Sequence, residues 1–140
     1  MDTKKLYQTY HPKGFTTVNT YLFAENPPLL IQFLKSAFYA EEGLSTVDPD
    51  TSDILNMILY IGQSAIMISQ SRGQFIGMRS SFYLFTENVD HLYENALNNG
   101  GVSEFAPADM DYGDRQAGIR DPAGNYWWIS KRIHSNEYED

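Results

Sequence analysis

Apolar positions along this chain keep two periods, which succeed each other in blocks. Leu30, Phe33, Leu34, Ala37 and Phe38 recur at i, i+3, i+4 spacing, and Val89, Leu92, Tyr93, Ala96 and Leu97 do the same. That spacing predicts two helices, each with one apolar stripe turned to a core. β-like runs follow each stripe: Ile54–Ile61 and Ala65–Ser69 in the first half, Arg115–Arg120 and Tyr126–Ile133 in the second. Gly62-Gln63-Ser64 and Asp121-Pro122-Ala123-Gly124-Asn125 provide the turns between the paired runs. A weaker strand fits after each helix, near Leu44–Val47 and Val102–Phe105.

The two halves are copies of one pattern. Tyr21-Leu22-Phe23-Ala24-Glu25-Asn26 returns as Tyr83-Leu84-Phe85-Thr86-Glu87-Asn88, with five of six positions identical at an offset of 62 residues. Met67-Ile68-Ser69 is echoed by Trp128-Ile129-Ser130 at an offset of 61. Asn26 and Asn88 stand just before the stripes, where an Asn side chain can accept from a free N–H of the first turn. Pro27 takes the first helical position, where its missing N–H costs nothing. The second helix is expected to stop at Asn98-Asn99-Gly100-Gly101. Each half thus reads strand–helix–strand–strand–strand, and the fold class is α+β with two tandem βαβββ modules. The expected division is an arm at 1–14, a first module at 15–70, a linker at 71–78, a second module at 79–133 and a tail at 134–140, all within one structural domain.

At 140 residues the chain can bury one substantial core. A net charge of −8 argues against nucleic acid as a partner, because phosphates call for clustered Lys and Arg. Cysteine is absent, which excludes disulfides, zinc–thiolate sites, iron–sulfur clusters and a cysteine nucleophile. No run approaches the apolar length of a membrane span, and Met1–Tyr10 has no signal-peptide core. No membrane association and a cytoplasmic location are expected.

The second half also carries Asp111-Tyr112-Gly113-Asp114-Arg115, then Arg120-Asp121-Pro122-Ala123-Gly124-Asn125-Tyr126-Trp127. This resembles the YGDR…DPxGNxW signature of PhnB-like and bleomycin-resistance-like proteins. Together with the repeat, it makes residues 15–133 similar to the glyoxalase / bleomycin-resistance / extradiol-dioxygenase superfamily (vicinal oxygen chelate). The resemblance implies a curved mixed sheet around a cup, helices on its outer face, and pairing of chains as a homodimer. It also implies where metal-dependent members place His, Glu or Gln ligands, which here are Asn19, Met67, Ser81 and Trp128. An amide, a thioether, a hydroxyl and an indole do not make a divalent metal site. His11, His91 and His134 fall in the arm, the second helix and the tail. Asp48, Asp50 and Asp53 lack the glycine and terminal Glu of a calcium loop and read as a solvated acidic loop. Neither a metal nor a cofactor is expected.

Strand alternation gives the lining of the cup. Thr17, Asn19, Tyr21 and Phe23 share one face. So do Arg79, Ser81, Tyr83 and Phe85, then Tyr126, Trp128 and Ser130, and Ala65, Met67 and Ser69. Leu22, Ile66, Ile68, Leu84, Trp127 and Ile129 form the other face, a bed for the helices. The candidate ligand-binding set is Asn19, Tyr21, Met67, Ser69, Arg79, Ser81, Tyr83, Tyr126 and Trp128. Such a lining binds flat or apolar molecules by burial and stacking. The same aromatics would also fill a closed core or meet a partner chain.

Three functions compete. The leading one is a metal-free protein that binds a small aromatic organic molecule. The second is a metal-independent enzyme using Tyr112, Asp114, Arg115 or Arg79. The third is a metal-dependent lyase, isomerase or dioxygenase. Asp114 and Arg115 read first as a structural charge or turn pair, and Asp121 as the cap of its turn. Fold alone does not choose among these functions.

Overall fold

In the computed structural model, which describes residues 1–134 and 137–138, Asn26 and Asn88 begin the two helices as their positions suggest. The Asn26 side chain accepts from the Leu29 N–H at 3.2 Å, and Asn88 accepts from the His91 N–H at 3.1 Å. Helix α1 (Pro27–Phe38) ends on Tyr39, held in the left-handed region at φ 58°. Helix α2 (Val89–Asn98) ends through Gly100 at φ 102°, after which the Gly101 N–H returns to the Ala96 carbonyl at 2.8 Å. A side chain at Gly101 would stand 2.8 Å from that same oxygen, so this close approach requires glycine.

Strands β1 (Thr20–Ala24), β2 (Glu41–Val47), β3 (Ile54–Ile61) and β4 (Ser64–Gln70) complete the first module. Strands β5 (Ser81–Phe85), β6 (Val102–Asp109), β7 (Asp114–Arg120) and β8 (Tyr126–Arg132) complete the second. The two βαβββ modules read from the sequence are present. Each forms its own four-stranded mixed sheet, in the orders β1-β4-β3-β2 and β5-β8-β7-β6. The first and last strands of each module pair in parallel, and the remaining neighbours are antiparallel. Register preserves the repeat: Tyr21 lies opposite Met67, and Tyr83 lies opposite Trp128.

One face of each sheet is closed by its helix. Leu22, Leu59 and Ile68 are buried with Leu30 and Leu34 of α1, while Ile119 and Ile129 are buried in the same core as Val89 and Ala96 of α2. The modules meet through their helices and through Phe38 of α1, whose ring lies 5.0 Å from that of Trp127 on β8. Their cores therefore merge into one cluster. The other face of each sheet keeps half-exposed rings, among them Tyr21, Tyr83 and Phe85.

Gly14 and Tyr138, which lie outside the strands, are each tied to a sheet. The Gly14 carbonyl accepts from the Ala65 N–H at 2.8 Å, and the Tyr138 hydroxyl reaches Asp114 at 2.7 Å. Among the described residues no helix is long and apolar enough to cross a membrane.

Candidate functional site

The open face of the second sheet follows from alternation on three adjacent strands. Ser81, Tyr83 and Phe85 point to it from β5, and Tyr126, Trp128, Ser130 and Arg132 from β8. From β7, register sets Asp114 opposite Arg132, Gln116 opposite Ser130 and Gly118 opposite Trp128. The floor is polar and shut off from water: Asp114, Gln116 and Ser130 are all buried. Around it stand Tyr83, Phe85, Tyr112 and Tyr138, each about half exposed.

Every floor group is paired. Asp114 Oδ1 accepts from Arg132 Nη1 at 2.7 Å, while Oδ2 accepts from the Tyr138 hydroxyl at 2.7 Å and from the Tyr83 hydroxyl. Arg132 also donates to the Tyr112 carbonyl at 2.8 Å. Gln116 accepts from the Tyr112 hydroxyl and donates to Ser130 Oγ at 2.7 Å. Burial alone would raise the Asp114 carboxyl, but hydrogen bonds from Tyr83, Tyr138 and Arg132 outweigh it and hold the group below the ordinary Asp value. The phenols shift the other way. Burial, then the Asp114 carboxylate beside it, pushes Tyr83 well above an ordinary tyrosine. Tyr138 rises for the same reasons, and Tyr112 through burial and the charges of Tyr83 and Asp114. At neutral pH this is one carboxylate held ionised beneath protonated phenols.

Beside the polar floor lies an aromatic shelf. Tyr126 stacks on Trp128 at 6.0 Å, and Phe105 of β6 stacks on Trp128 at 5.9 Å. Gly118 makes the shelf possible, because a Cβ there would stand 2.6 Å from Phe105 and 2.8 Å from Trp128. A groove of about 790 Å³ runs along the outer edge of β5, bounded opposite by Ile61–Ser64 and Phe38. Ser81, Tyr83 and Phe85 line both the groove and the open face, and the hydrogen-bonded polar groups at Asp114, Gln116 and Ser130 converge on the open face. That convergence makes the face the better candidate.

The nine residues singled out from the sequence divide between the sheets. On the first, the Tyr21 hydroxyl bonds Ser69 Oγ at 2.8 Å, with Met67 opposite Tyr21 and the Tyr21 ring stacked on Phe23. On the second, Trp128 Nε1 donates to Ser81 Oγ at 2.8 Å, with Tyr83 and Tyr126 alongside. Arg79 lies against Gly124 in the β7–β8 turn. No hydrogen bond or ring contact among the described residues joins the two groups. Asn19 is taken up locally, accepting from the Thr16 N–H at 2.7 Å and donating to the Thr16 carbonyl at 2.6 Å.

These partners bear on how well the four positions could hold a metal ion. Asn19 spends its amide on a turn, Ser81 accepts from the indole of Trp128, and neither Met67 nor Trp128 is a ligand for a hard divalent ion. The four positions do not fit such a centre. Among the described residues no three His, Asp or Glu side chains gather to make another.

Asp114 and Arg115 do not form the pair suggested by their adjacency. Successive strand residues point to opposite faces, so Asp114 turns in to Arg132, while Arg115 turns out to Asp90 at 2.9 Å and Asp109 at 3.0 Å. Gln116, Arg132 and Tyr138 were missed by the sequence reading. For Gln116 and Arg132 the signal existed, since they extend the alternation of Asp114 and of Trp128. Tyr138, beyond the last strand, offered none.

No family model matches the chain. An uncharacterized protein of Mycobacterium bovis is 24% identical over 127 residues, covering 83% of this chain and 83% of that protein. An uncharacterized protein of Mycobacterium tuberculosis is 24% identical over 127 residues, covering 83% of this chain and 74% of its own. Among solved structures, TioX from Micromonospora sp. ML1 superposes with a TM-score of 0.68 at 17% identity, over 83% of this chain and 99% of that one. A glyoxalase/bleomycin resistance protein/dioxygenase family enzyme from Burkholderia phytofirmans gives 0.63 at 23%, over 82% and 97%. Glyoxalase I from Zea mays gives 0.67 at 18%, over 82% of this chain and 46% of that one. At these identities the likeness is one of fold, shared with solved structures named as glyoxalase/bleomycin resistance protein/dioxygenase family members and as glyoxalase I.

Proposed function

We propose that this protein binds a small, flat organic molecule on the open face of its second sheet, without a metal ion. One observation carries the reading: half-exposed aromatic rings surround a buried, fully hydrogen-bonded polar floor at Asp114, Gln116 and Ser130. Rings supply apolar area and stacking, and the floor orients a polar group on the ligand. Within the superfamily we take the PhnB-like branch, on the motif from Asp111 to Trp127.

The test is a thermal-shift and fluorescence screen of aromatic antibiotics and metabolites, with wild type beside Trp128→Ala and Tyr83→Ala. A true ligand should bind each variant roughly tenfold more weakly, because a stacked ring contributes ~0.5–1.5 kcal/mol beyond the area it buries. Equal binding to wild type and to both folded variants would remove the face from consideration.

We also propose that two chains pair. Tyr21, Tyr83 and Phe85 stand half exposed on open sheet faces, and β1, β2, β5 and β6 are edge strands. Apolar faces and strand edges of this kind favour cover by another chain. Light scattering at micromolar concentration should return a dimer mass, and a monomer mass would count decisively against pairing.

A further inference from the structure

Tyr138 lies beyond the last strand and is 59% exposed, yet its hydroxyl donates at 2.7 Å to a carboxylate with no solvent exposure. Its ring lies on the Arg132 guanidinium, 4.3 Å from carbon to centroid, and 6.4 Å from the ring of Phe85. Tyr83 and Arg132, which share Asp114 with it, are anchored in β5 and β8. A flat ring on a cation, edged by a second ring, with its hydroxyl aimed at a buried acceptor, has the form of an occupied small-molecule subsite.

We propose that the Tyr138 side chain is a resident occupant of such a subsite, and that the ligand of this face is a hydroxylated aromatic whose O–H replaces the Tyr138 hydroxyl on Asp114. The inference rests on the binding function proposed above and narrows its ligand to phenols. An ionised carboxylate only accepts, so the incoming group must donate. Arg132 already balances the charge of Asp114, so a neutral O–H suits the position better than a second cation. The guanidinium attracts the electron-rich face of a ring. A tethered phenol competes at the high effective concentration of an intramolecular group. A free ligand therefore binds with an affinity reduced by the fraction of molecules in which the subsite is open.

The probe is p-cresol, the tyrosine side chain without its backbone. Its affinity is measured by calorimetry and by NMR shifts of the Gln116 side-chain amide, on the full chain and on Tyr138→Ala. Tyr138 is exposed, so the variant keeps the sheet intact. If the Tyr138 side chain fills the subsite about nine-tenths of the time, p-cresol should bind Tyr138→Ala about tenfold more tightly than wild type. Toluene, which keeps the ring and lacks the donor, should bind Tyr138→Ala several-fold more weakly than p-cresol does. Equal p-cresol binding by the two proteins, no binding to Tyr138→Ala, or toluene binding Tyr138→Ala as tightly as p-cresol would overturn the inference. The two ideas fail separately. If a screened ligand still depends on Trp128 while p-cresol behaves in any of those ways, the binding face stands and the Tyr138-occupied subsite falls.

Discussion

Replacing Asp114 with alanine should lower the free energy of unfolding by ~3–5 kcal/mol, the range for removing one partner of a buried ion pair. The carboxylate is fully buried and its partner Arg132 is only 15% exposed, so solvent screens the pair little. The Arg132 charge, the Tyr83 hydroxyl and the Tyr138 hydroxyl would lose an acceptor together. Acid should expose the same dependence. The folded carboxyl lies below the ordinary value of 3.8, so it takes up its proton at lower pH than the unfolded chain does. Its stabilisation is complete above roughly pH 5 and is lost as pH falls through 3.8 and then through the folded value. Asp114→Asn keeps the shape and cannot titrate. The stability gap between wild type and Asp114→Asn should be constant near neutrality and shrink below pH 3.8. Urea titrations followed by tryptophan fluorescence from pH 3 to 7 measure both effects. A loss under about 1 kcal/mol for Asp114→Ala, or a gap that does not change with pH, would remove the carboxylate from the centre of this network.

Elements that bury one face were legible in the sequence, and elements that bury neither were legible only in part. Helix α1 and strands β3, β4 and β8 show their period because burial imposes it. The sequence located β2 only near Leu44–Val47 and β6 only near Val102–Phe105, whereas they run Glu41–Val47 and Val102–Asp109. Both are edge strands with little buried on either side, and both have register shifts. No alternation survives in such a strand to mark its ends.

The same contrast divides the candidate site. Tyr83, Tyr126 and Trp128 declared themselves by alternation, and the structure sets them on one face. What each polar group does was not legible, because that depends on partners far along the chain. Ser81 is paired with Trp128, 47 positions away, and Asp114 with Arg132, 18 positions away. Asn19 has a site-like residue type at a site-like position, and local backbone groups consume both ends of its amide.

Trp127→Ala should cost ~3–5 kcal/mol, as expected when a large buried ring is deleted, and should loosen the join between the modules. Trp127 is 3% exposed. Its ring stacks on Phe82 at 4.2 Å within its own sheet and meets Phe38 of the other module at 5.0 Å. Its Nε1 donates to Asp121 Oδ2 at 2.8 Å, and Asp121 also accepts from the N–H groups of Ala123 at 2.8 Å and Asn125 at 3.0 Å. One indole thus ties the β7–β8 turn to the sheet and the sheet to the first module. The Asp-Pro-x-Gly-Asn turn and the tryptophan two residues after it are scaffold, since none of these contacts faces the open side of the sheet. Asn125 still donates to the Asp121 carboxylate at 3.1 Å after the indole is removed, so most of the loss is packing. Trp127→Phe, which keeps a ring and gives up the donor, should therefore recover most of the stability, leaving a deficit of about 1–2 kcal/mol. A double-mutant cycle with Phe38→Ala isolates the contact between modules, and the coupling should be about 0.5–1.5 kcal/mol. Trp128 remains as the fluorescent reporter in every variant. A coupling indistinguishable from zero would mean that the two modules are held together by their helices alone.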